Sequence, residues 1–496
     1  MACVASSAGV VANPLFVGID VGTTRVKVGI FDRSGRQHAL RIIPHDGLLT
    51  PQWGSVTQDA GHWWRTVCRA VRATAADVDT AHVSAIAVCG QGPTLVTTDA
   101  RLRPCGPALT WMDKRATAEA SLLSARLGRS IDAGHLVAKA MRVSHEDPNA
   151  TRRWYLQAWD YVAARLCGTP HTSAAWLEDE IGASGLPQDH FPHYIPPGTP
   201  LGRLTKASAR AAGLPAGIQI VAGTNDGVAA CIGGGLTRKG RSVLLGGASG
   251  GFVLCWDPAP SAWAPPPDTY PEPPDLRYLG ATIASSGMAL DWLASLFGVH
   301  DYDRWLSHAA TIPPGADGLV LLPYIAGVFL PYTADERTSV ADPAARGVLF
   351  GIGARHTSAH MLRATLEGVA YVIRQVYELT VPSGVRLATT LTVGGQAHSG
   401  LWNQIKADVL GMTVLTPAVI EAGALGAACL AATGCGAFGD LWEAAEAMVK
   451  IAGRLEPNAA AHFHYSRLYT DVYKPLYPQL KGLFPYLHPA PLQRSR

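Results

Sequence analysis

Leu15-Phe16-Val17-Gly18-Ile19-Asp20-Val21-Gly22-Thr23-Thr24-Arg25-Val26-Lys27-Val28-Gly29-Ile30 is the stretch whose reading decides the fold. Leu15–Ile19 is a short apolar run that ends at Asp20, as a buried strand does. Gly22-Thr23-Thr24 supplies a turn. Arg25–Ile30 alternates polar and apolar residues, the period of a second strand. Asp32-Arg33-Ser34-Gly35 makes a further turn, and Gln37–Ile43 reads as a third strand. The opening is therefore an antiparallel meander. Gly61–Thr74 predicts a helix, and Val83–Val88 a buried strand running into Gly90-Gln91-Gly92. Strands and helices alternate from there, which predicts an α/β architecture.

The chain restarts near residue 240. Gly233-Gly234-Gly235 and Thr237–Arg241 form a polar joint, the expected hinge. Ser242–Leu245 then reads as a strand, Gly246-Gly247-Ala248-Ser249-Gly250-Gly251 as a turn, and Phe252–Cys255 as a strand. Each half thus opens with strand, Gly-rich turn, strand, a weak internal duplication. Asp257–Asp275 is rich in Pro and reads as an exposed insertion. Beyond His360, Leu362, Leu366, Val369, Ile373 and Val376 recur at spacings of 4, 3, 4 and 3, with Arg363, Glu367, Arg374 and Glu378 off that stripe. This predicts one amphipathic helix facing a core.

Composition narrows the function classes. The 496 residues correspond to roughly two to four domains. Hydrophobic residues are 48% and charged residues 16%, which excludes disorder as the main state. Lys plus Arg is 41 against 38 Asp plus Glu, a net charge of +3. That balance argues against nucleic acid or an anionic membrane as the partner. No window has the ~20 apolar residues of a spanning helix. The nine cysteines include no C-x-x-C pair, so reduced thiols in a cytoplasmic protein are expected, not a disulfide frame or a zinc site. Met1–Ala12 lacks the basic start of a secretory signal and reads as a frayed leader.

Five segments carry candidate chemistry. In Asp20-Val21-Gly22-Thr23-Thr24, a carboxylate at a strand end meets a Gly turn and two hydroxyls. Such a turn can cradle phosphate, and the Asp can hold Mg²⁺. Gly246–Gly251 is a second turn of the same kind, and neither is a G-x-x-x-x-G-K-[ST] loop. Taken alone, each is better read as an ordinary turn. Gly223-Thr224-Asn225-Asp226-Gly227 follows the apolar run Ile218–Ala222, and Asp226 there is either a general base or a helix N-cap. Val393-Gly394-Gly395-Gln396 followed by Leu401–Gly411 has the strand–turn–helix layout of a nucleotide crevice. Trp111, Asp113 and Arg115 alternate along a segment read as extended, able to read sugar hydroxyls or to form a surface salt bridge beside a packed Trp.

The order of these segments is more specific than any one of them, and it resembles the FGGY carbohydrate kinase family from about Leu15 to about Pro485. The sharpest match is Gly347-Val348-Leu349-Phe350-Gly351-Ile352, seven residues, His360-Met361, then Ala364-Thr365-Leu366-Glu367. Glu336-Arg337-Thr338, Asp342–Gly347 and Glu421–Ala428 fit as well. The resemblance implies two actin/Hsp70/hexokinase-like (ribonuclease H-like) α/β domains with a cleft between them. Residues 14–240 would form the sugar-side domain and 241–486 the nucleotide-side domain. It implies ATP and Mg²⁺ as cofactors. Asp20 would hold the metal, and Gly22, Thr23, Thr24, Gly247, Ser249 and Gly250 would lie near the phosphates. Gly394, Gly395, Gln396 and Asn403 would lie near the rest of the nucleotide. Asp226 would be the catalytic base, with Gln91, Gly92, Trp111, Asp113 and Asn225 around a small sugar.

The chain also departs from the family pattern. Ala248 replaces a hydroxyl residue in the second phosphate turn, and Gln396 replaces a third Gly, where it would crowd the nucleotide. Thr57 stands for an acidic residue before Gln58-Asp59, and Gly92-Pro93 follow Gln91 where xylulose kinases carry Met-His. The first family signature, around Lys139–Trp154, is poorly kept, and Ser173–Pro197 is short. The expected reaction is phosphorylation of a small sugar, with a ketopentose such as xylulose leading. A polyol kinase and a catalytically degenerate sugar-binding regulator are the alternatives. A homodimer stays open beside a monomer.

Overall fold

The computed structural model describes residues 13–487, apart from 46, 48, 50–54, 148–150, 174–177, 258–270, 284, 326–327, 330–340 and 343–344. The leader reading of Met1–Ala12, most of the Pro-rich insertion and Glu336-Arg337-Thr338 lie outside the described residues. The chain forms two compact units. One holds the chain up to Gly235 together with Glu421–Lys450; the other begins at Leu236 and holds most of the remainder.

The first unit contains strands β1 (Leu15–Val21), β2 (Arg25–Asp32) and β3 (Gln37–Pro44), helix α1 (Ala60–Ala75), β4 (Val83–Gly90), β5 (Pro200–Arg203), β6 (Gln219–Asn225) and helix α2 (Asp226–Gly233). The second contains β7 (Ser242–Gly246), β8 (Gly250–Trp256), β9 (Arg277–Ile283), helix α3 (Ser358–Thr380), β10 (Thr389–Val393), helix α4 (Gly400–Leu410) and β11 (Thr413–Pro417). The chain then returns to the first unit for helix α5 (Ala422–Gly434), and ends its second sheet with β12 (Ile451–Leu455).

Each unit is built on a six-stranded sheet. The orders are β3-β2-β1-β4-β6-β5 and β9-β8-β7-β10-β11-β12. In each, the first three strands are an antiparallel meander, the first and fourth are parallel, and the outermost pair is antiparallel. The duplication expected from the two strand–turn–strand openings is thus present as topology.

Local sequence explains these elements. All seven residues of β1 are buried, as an apolar run between two neighbouring strands requires. Helix α1 starts at the N-cap Asp59, whose carboxylate accepts the Gly61 amide, and turns Trp63, Val67 and Val71 into the core. Helix α5 is Ala- and Gly-rich because it is enclosed on all sides. A Cβ on Gly18 would lie 1.8 Å from the Ala424 carbonyl oxygen, and one on Gly426 would lie 1.9 Å from that of Ala229. Only glycine lets α5 approach β1 and α2 this closely.

In the second unit, α3 carries the expected stripe, with Leu362, Leu366, Val369, Ile373 and Val376 buried. Its polar side is not simply solvated. Arg363 and Glu367 are buried as well, and Arg363 Nε donates to Glu367 Oε1 at 2.6 Å. The Tyr465 hydroxyl accepts from Arg363 at 2.6 Å and donates to Glu367 at 2.7 Å. A second layer of the unit covers this face of α3, which the periodicity did not reveal. Among the described residues no helix is long and apolar enough to cross a membrane. Burial raises the thiol pKa of Cys68 to about 11, and those of Cys255 and Cys429 to about 12, which makes them weak nucleophiles at neutral pH.

Candidate active site

Three parallel strands deliver the first cluster. Val21 of β1 pairs with Gly90 of β4, and Gly90 with Asn225 of β6. The residues that follow, Gly22, Gln91 and Asp226, therefore leave one edge of the sheet together. That carboxyl edge is where open α/β sheets place their ligands.

Asp20 is the last-but-one residue of β1 and lies opposite Lys27 in β2. Lys27 Nζ bridges two carboxylates, Asp20 Oδ2 at 3.3 Å and Glu421 Oε2 at 2.9 Å. Burial raises the Asp20 pKa; the Lys27 charge opposes that rise, and Glu421 adds to it. Burial alone would lower the Lys27 pKa, but the two carboxylates overcome it and hold the ammonium charged. The other Asp20 oxygen, Oδ1, is buried without a hydrogen-bond partner. A Cβ on Gly423 would lie 2.9 Å from Asp20 Oδ2, so the start of α5 leaves room only for the carboxylate.

Asp226 opens α2. The N-cap is Asn225, whose Oδ1 accepts the Gly227 amide at 2.8 Å. The alternative reading of Asp226 as the cap is thus corrected: Asp226 stands one residue inside the helix. It is enclosed by protein yet keeps partial solvent access. Burial and then the Asp20 charge push its pKa up to about 7, against the opposing Gly227 amide bond.

Gln91 is buried and joined to Thr23 and Trp111. Its Nε2 donates to Gln58 Oε1 at 2.8 Å, and Gln58 Nε2 donates to the Thr23 carbonyl at 2.7 Å. The Thr23 hydroxyl donates to Gln91 Oε1 at 3.3 Å and accepts the Trp111 indole N–H at 3.0 Å. Thr23 was expected beside phosphate; its side chain is instead engaged with two residues expected around the sugar. Thr24 is exposed. Trp111 and Asp113 lie in a turn, closed by the Asp113 amide on the Thr110 carbonyl at 3.0 Å, and not in the extended segment expected. Asp113 is fully buried, with its carboxylate held by Arg115 at 2.8 Å and by the Val56 amide at 3.1 Å. It does not join Trp111 at Thr23.

The second unit holds the other cluster. Leu245 pairs with Val393, so Gly246 and Gly394 emerge side by side. Gly394 has φ +80°, and a Cβ there would strike the Gly246 carbonyl at 2.7 Å. The turn after β7 is tied down by its carbonyls: Gly247 O accepts from Gly287 N at 3.1 Å, and Ala248 O from Met288 N at 2.9 Å. Gly247 is exposed, and Ala248 and Ser249 are partly exposed, while Gly250 is buried against Ser286.

Gln396 does not crowd this opening. Its side chain turns into the unit, where Nε2 donates to Ser286 Oγ at 2.7 Å and to Gly247 O at 3.1 Å. Its Oε1 accepts from Lys406 Nζ at 3.0 Å. Gln396 therefore braces one glycine turn against the other. Lys406 is buried on α4, and burial pushes its pKa down to about 7. Asn403 is also buried; its Nδ2 donates to the Ala397 carbonyl at 2.8 Å, and its Oδ1 has no partner. Gly395 opens the short helical turn Gly395–His398 that Asn403 braces.

Sequence reasoning missed several members. Lys27 lay on the polar face of a strand and gave no signal beyond its charge. Gln58 and Glu421 were noted only as pattern positions. Lys139 began a poorly kept signature, yet it is fully buried and donates to the Thr110 and Pro93 carbonyls at 2.7 and 3.0 Å. Burial pushes its pKa down to about 7, helped by Lys114. Among the described residues no cluster of three His, Cys, Asp or Glu could cage a metal. Mg²⁺ needs no such cage, since it binds through one or two carboxylates, water and phosphate. The unpartnered Asp20 Oδ1 suits that mode.

Comparison with known proteins agrees with this geometry. The N-terminal domain of the FGGY family of carbohydrate kinases matches residues 15–136, and the C-terminal domain matches residues 250–435. The xylulose kinase of Bacillus subtilis (strain 168) is 26% identical over 497 residues, 94% of this chain and 97% of its own. That of Escherichia coli (strain K12) is 28% identical over 429 residues, 80% and 85% of the two chains. The crystal structure of xylulose kinase from Rhodospirillum rubrum aligns with a TM-score of 0.74 at 26% identity, over 95% and 99% of the chains. The two-sheet α/β architecture is that of these actin- and hexokinase-like kinases. Both domain types match in order over more than half of the sequence, and the chain belongs to the FGGY family of carbohydrate kinases, phosphotransferases acting on sugar hydroxyls.

Proposed function

We propose that this kinase transfers the γ-phosphoryl group of ATP to a hydroxyl of a ketopentose such as xylulose, with Asp226 as the general base. The single observation carrying this reading is Asp226 itself. It stands at the carboxyl end of β6, which runs parallel to β4, on a helix start capped by its neighbour, with its pKa pushed up to about 7. A carboxylate of that pKa is a stronger base than an ordinary Asp and is about half ionised at neutral pH.

In the proposed reaction, the acceptor hydroxyl gives its proton to Asp226 as its oxygen bonds to the γ-phosphorus. The bond from that phosphorus to the β,γ-bridging oxygen breaks, and ADP leaves. Gln91 and Trp111, locked to each other through Thr23, fix the acceptor side. The Gly247–Gly250 turn and the Gly394-Gly395 turn hold the nucleotide, and Asn403 braces the second of them from behind through the Ala397 carbonyl. Asp20 would hold Mg²⁺, which when bound neutralises phosphate charge. Lys27 and Glu421 keep Asp20 in place. Such a site works by positioning and electrostatics. An enzyme drawing on ATP is placed in the cytoplasm by this reading.

A polyol acceptor is the second reading, since Gln91-Gly92-Pro93 without the Met-His of xylulose kinases suits a polyol as well as a ketose. The test is ADP release with Mg²⁺–ATP over ketopentoses, ketohexoses, aldonates and polyols, with Asp226→Ala as control. A strong ketopentose response, lost in the variant, is expected. A polyol as best acceptor would favour the second reading, and ATP binding without turnover on any acceptor would refute kinase activity.

A further inference from the structure

Gly92 is not simply an empty position. A Cβ placed on it would lie 2.7 Å from Cζ3 and 3.1 Å from Cη2 of Trp159, and 3.1 Å from Nδ2 of Asn225. The benzo edge of the indole therefore fills the volume that a residue-92 side chain would take. It does so beside the residue that precedes Asp226. Trp159 comes from a different part of the chain, the start of helix Ala158–Cys167, and no motif singled it out.

The ring is also held still. Trp159 Nε1 donates to Ser173 Oγ at 2.7 Å, and Ser173 Oγ donates to Asp160 Oδ1 at 3.1 Å. The Ser173 amide adds a bond to the same oxygen at 3.3 Å. Asp160 and His171 are fully buried, with His171 Nε2 3.5 Å from Asp160 Oδ1. A buried polar chain of this kind fixes one orientation of the group it ends on. The indole thus presents only carbon toward Gly92 and Asn225.

We propose that Trp159 is the specificity-determining wall of the acceptor site, standing in for the side chain that Gly92 lacks and selecting acceptors that turn a C–H face, not a hydroxyl, toward it. This rests on the assignment of Asp226 as the base. A buried apolar wall discriminates by contact and by desolvation of any hydroxyl left unpaired against it. Residues 92 and 159 then compete for one volume, so a side chain at 92 requires a smaller one at 159.

The experiment compares Gly92→Ala, Trp159→Leu, Trp159→Phe and the double variant Gly92→Ala/Trp159→Leu with the wild type, each checked for folding by thermal melting. KM for acceptor, KM for ATP and the ranking of the acceptor panel are measured. Acceptor binding is measured separately by calorimetry in an Asp226→Asn background. Gly92→Ala is expected to raise the acceptor KM about tenfold with the ATP KM unchanged. Trp159→Leu is expected to move bulkier or more hydroxylated acceptors up the ranking. The double variant is expected to recover much of the Gly92→Ala loss. Trp159→Phe serves if the Leu variants do not fold. It keeps an apolar face but loses the Ser173 bond, so a changed ranking is expected there too. Unchanged ranking in the folded Trp159 variants, or a Gly92→Ala loss that no Trp159 change relieves, would overturn the proposal while an inactive Asp226→Asn left the base assignment standing. Turnover by Asp226→Asn would sink the base assignment alone, since the calorimetry judges the wall by binding. A wild type that binds no acceptor overturns both.

Discussion

Asp226 owes its high pKa to enclosure and to the charge of Asp20. As a base it works only when ionised, so kcat/KM is expected to fall as pH drops through about 7, read from a pH–rate profile with the best acceptor. Asp226→Asn is expected to lower kcat about 10²–10⁴-fold. The same shift has a stability sign. In the unfolded chain this group titrates near the ordinary Asp value of 3.8, so between about 4 and 7 the folded state alone holds the proton. The contribution of Asp226 to stability is therefore full below about 4 and is lost as pH rises through 7. Asp226→Asn removes that loss and is expected to melt above wild type at pH 8, with the gap closing toward pH 4. Lys27 acts in the opposite sense, since it neutralises two enclosed carboxylates. Lys27→Met is expected to destabilise the first unit by about 3 kcal/mol, visible as a lower urea midpoint. Asp226 was legible from its place after an apolar run, whereas Lys27 was not, because nothing local to it names Glu421 as its partner.

At the scale of elements, helix α5 and the glycine turns carry the argument. Gly426→Ala would press a methyl against the Ala229 carbonyl on α2 and is expected to cost about 3 kcal/mol, measured by chemical denaturation. In the second unit, Lys406 and Gln396 brace the turns after β7 and β10. Lys406→Met is expected to raise the KM for ATP severalfold and to leave the acceptor KM unchanged. The strands and α3 were readable because hydrophobic period follows from backbone geometry. The burial of Arg363 and Glu367 was not, because period says which face is apolar and never what covers the polar one. Gln396 misled for a related reason. A side chain in place of glycine reads as an obstacle until its hydrogen-bond partners, Ser286 and Gly247, are known to lie behind it.

Across the whole molecule, the two sheets repeat one topology but carry different chemistry. The residues expected around the acceptor belong to the first unit, as does the Gly22 turn expected at the phosphates, while the Gly247–Gly250 and Gly394-Gly395 turns expected at the nucleotide belong to the second. The two bindings should therefore separate by mutation. Gly250→Val, whose added atoms would meet Ser286 Oγ at 2.6 Å, is expected to lose ATP binding and keep acceptor binding. Asp226→Asn is expected to keep ATP binding, with calorimetry reading both. The return of Glu421–Lys450 to the first unit, across β11 and β12 of the other, is a long-range connection. No local signal announces it.

The sequence by itself determined the strand–turn–strand openings, their duplication, the α/β class and the family, since each depends on short-range pattern or on the order of motifs along the chain. Only the tertiary structure decided that Thr23 belongs with Gln91 and Trp111, that Lys27 joins Asp20 to Glu421, and that Trp159 occupies the place of a side chain at Gly92. Apart from the Lys27–Asp20 pair across one hairpin, these are contacts between residues tens to hundreds of positions apart. They are set by strand register and by the close packing of glycine-lined helices, and neither is written in the residues on either side of them.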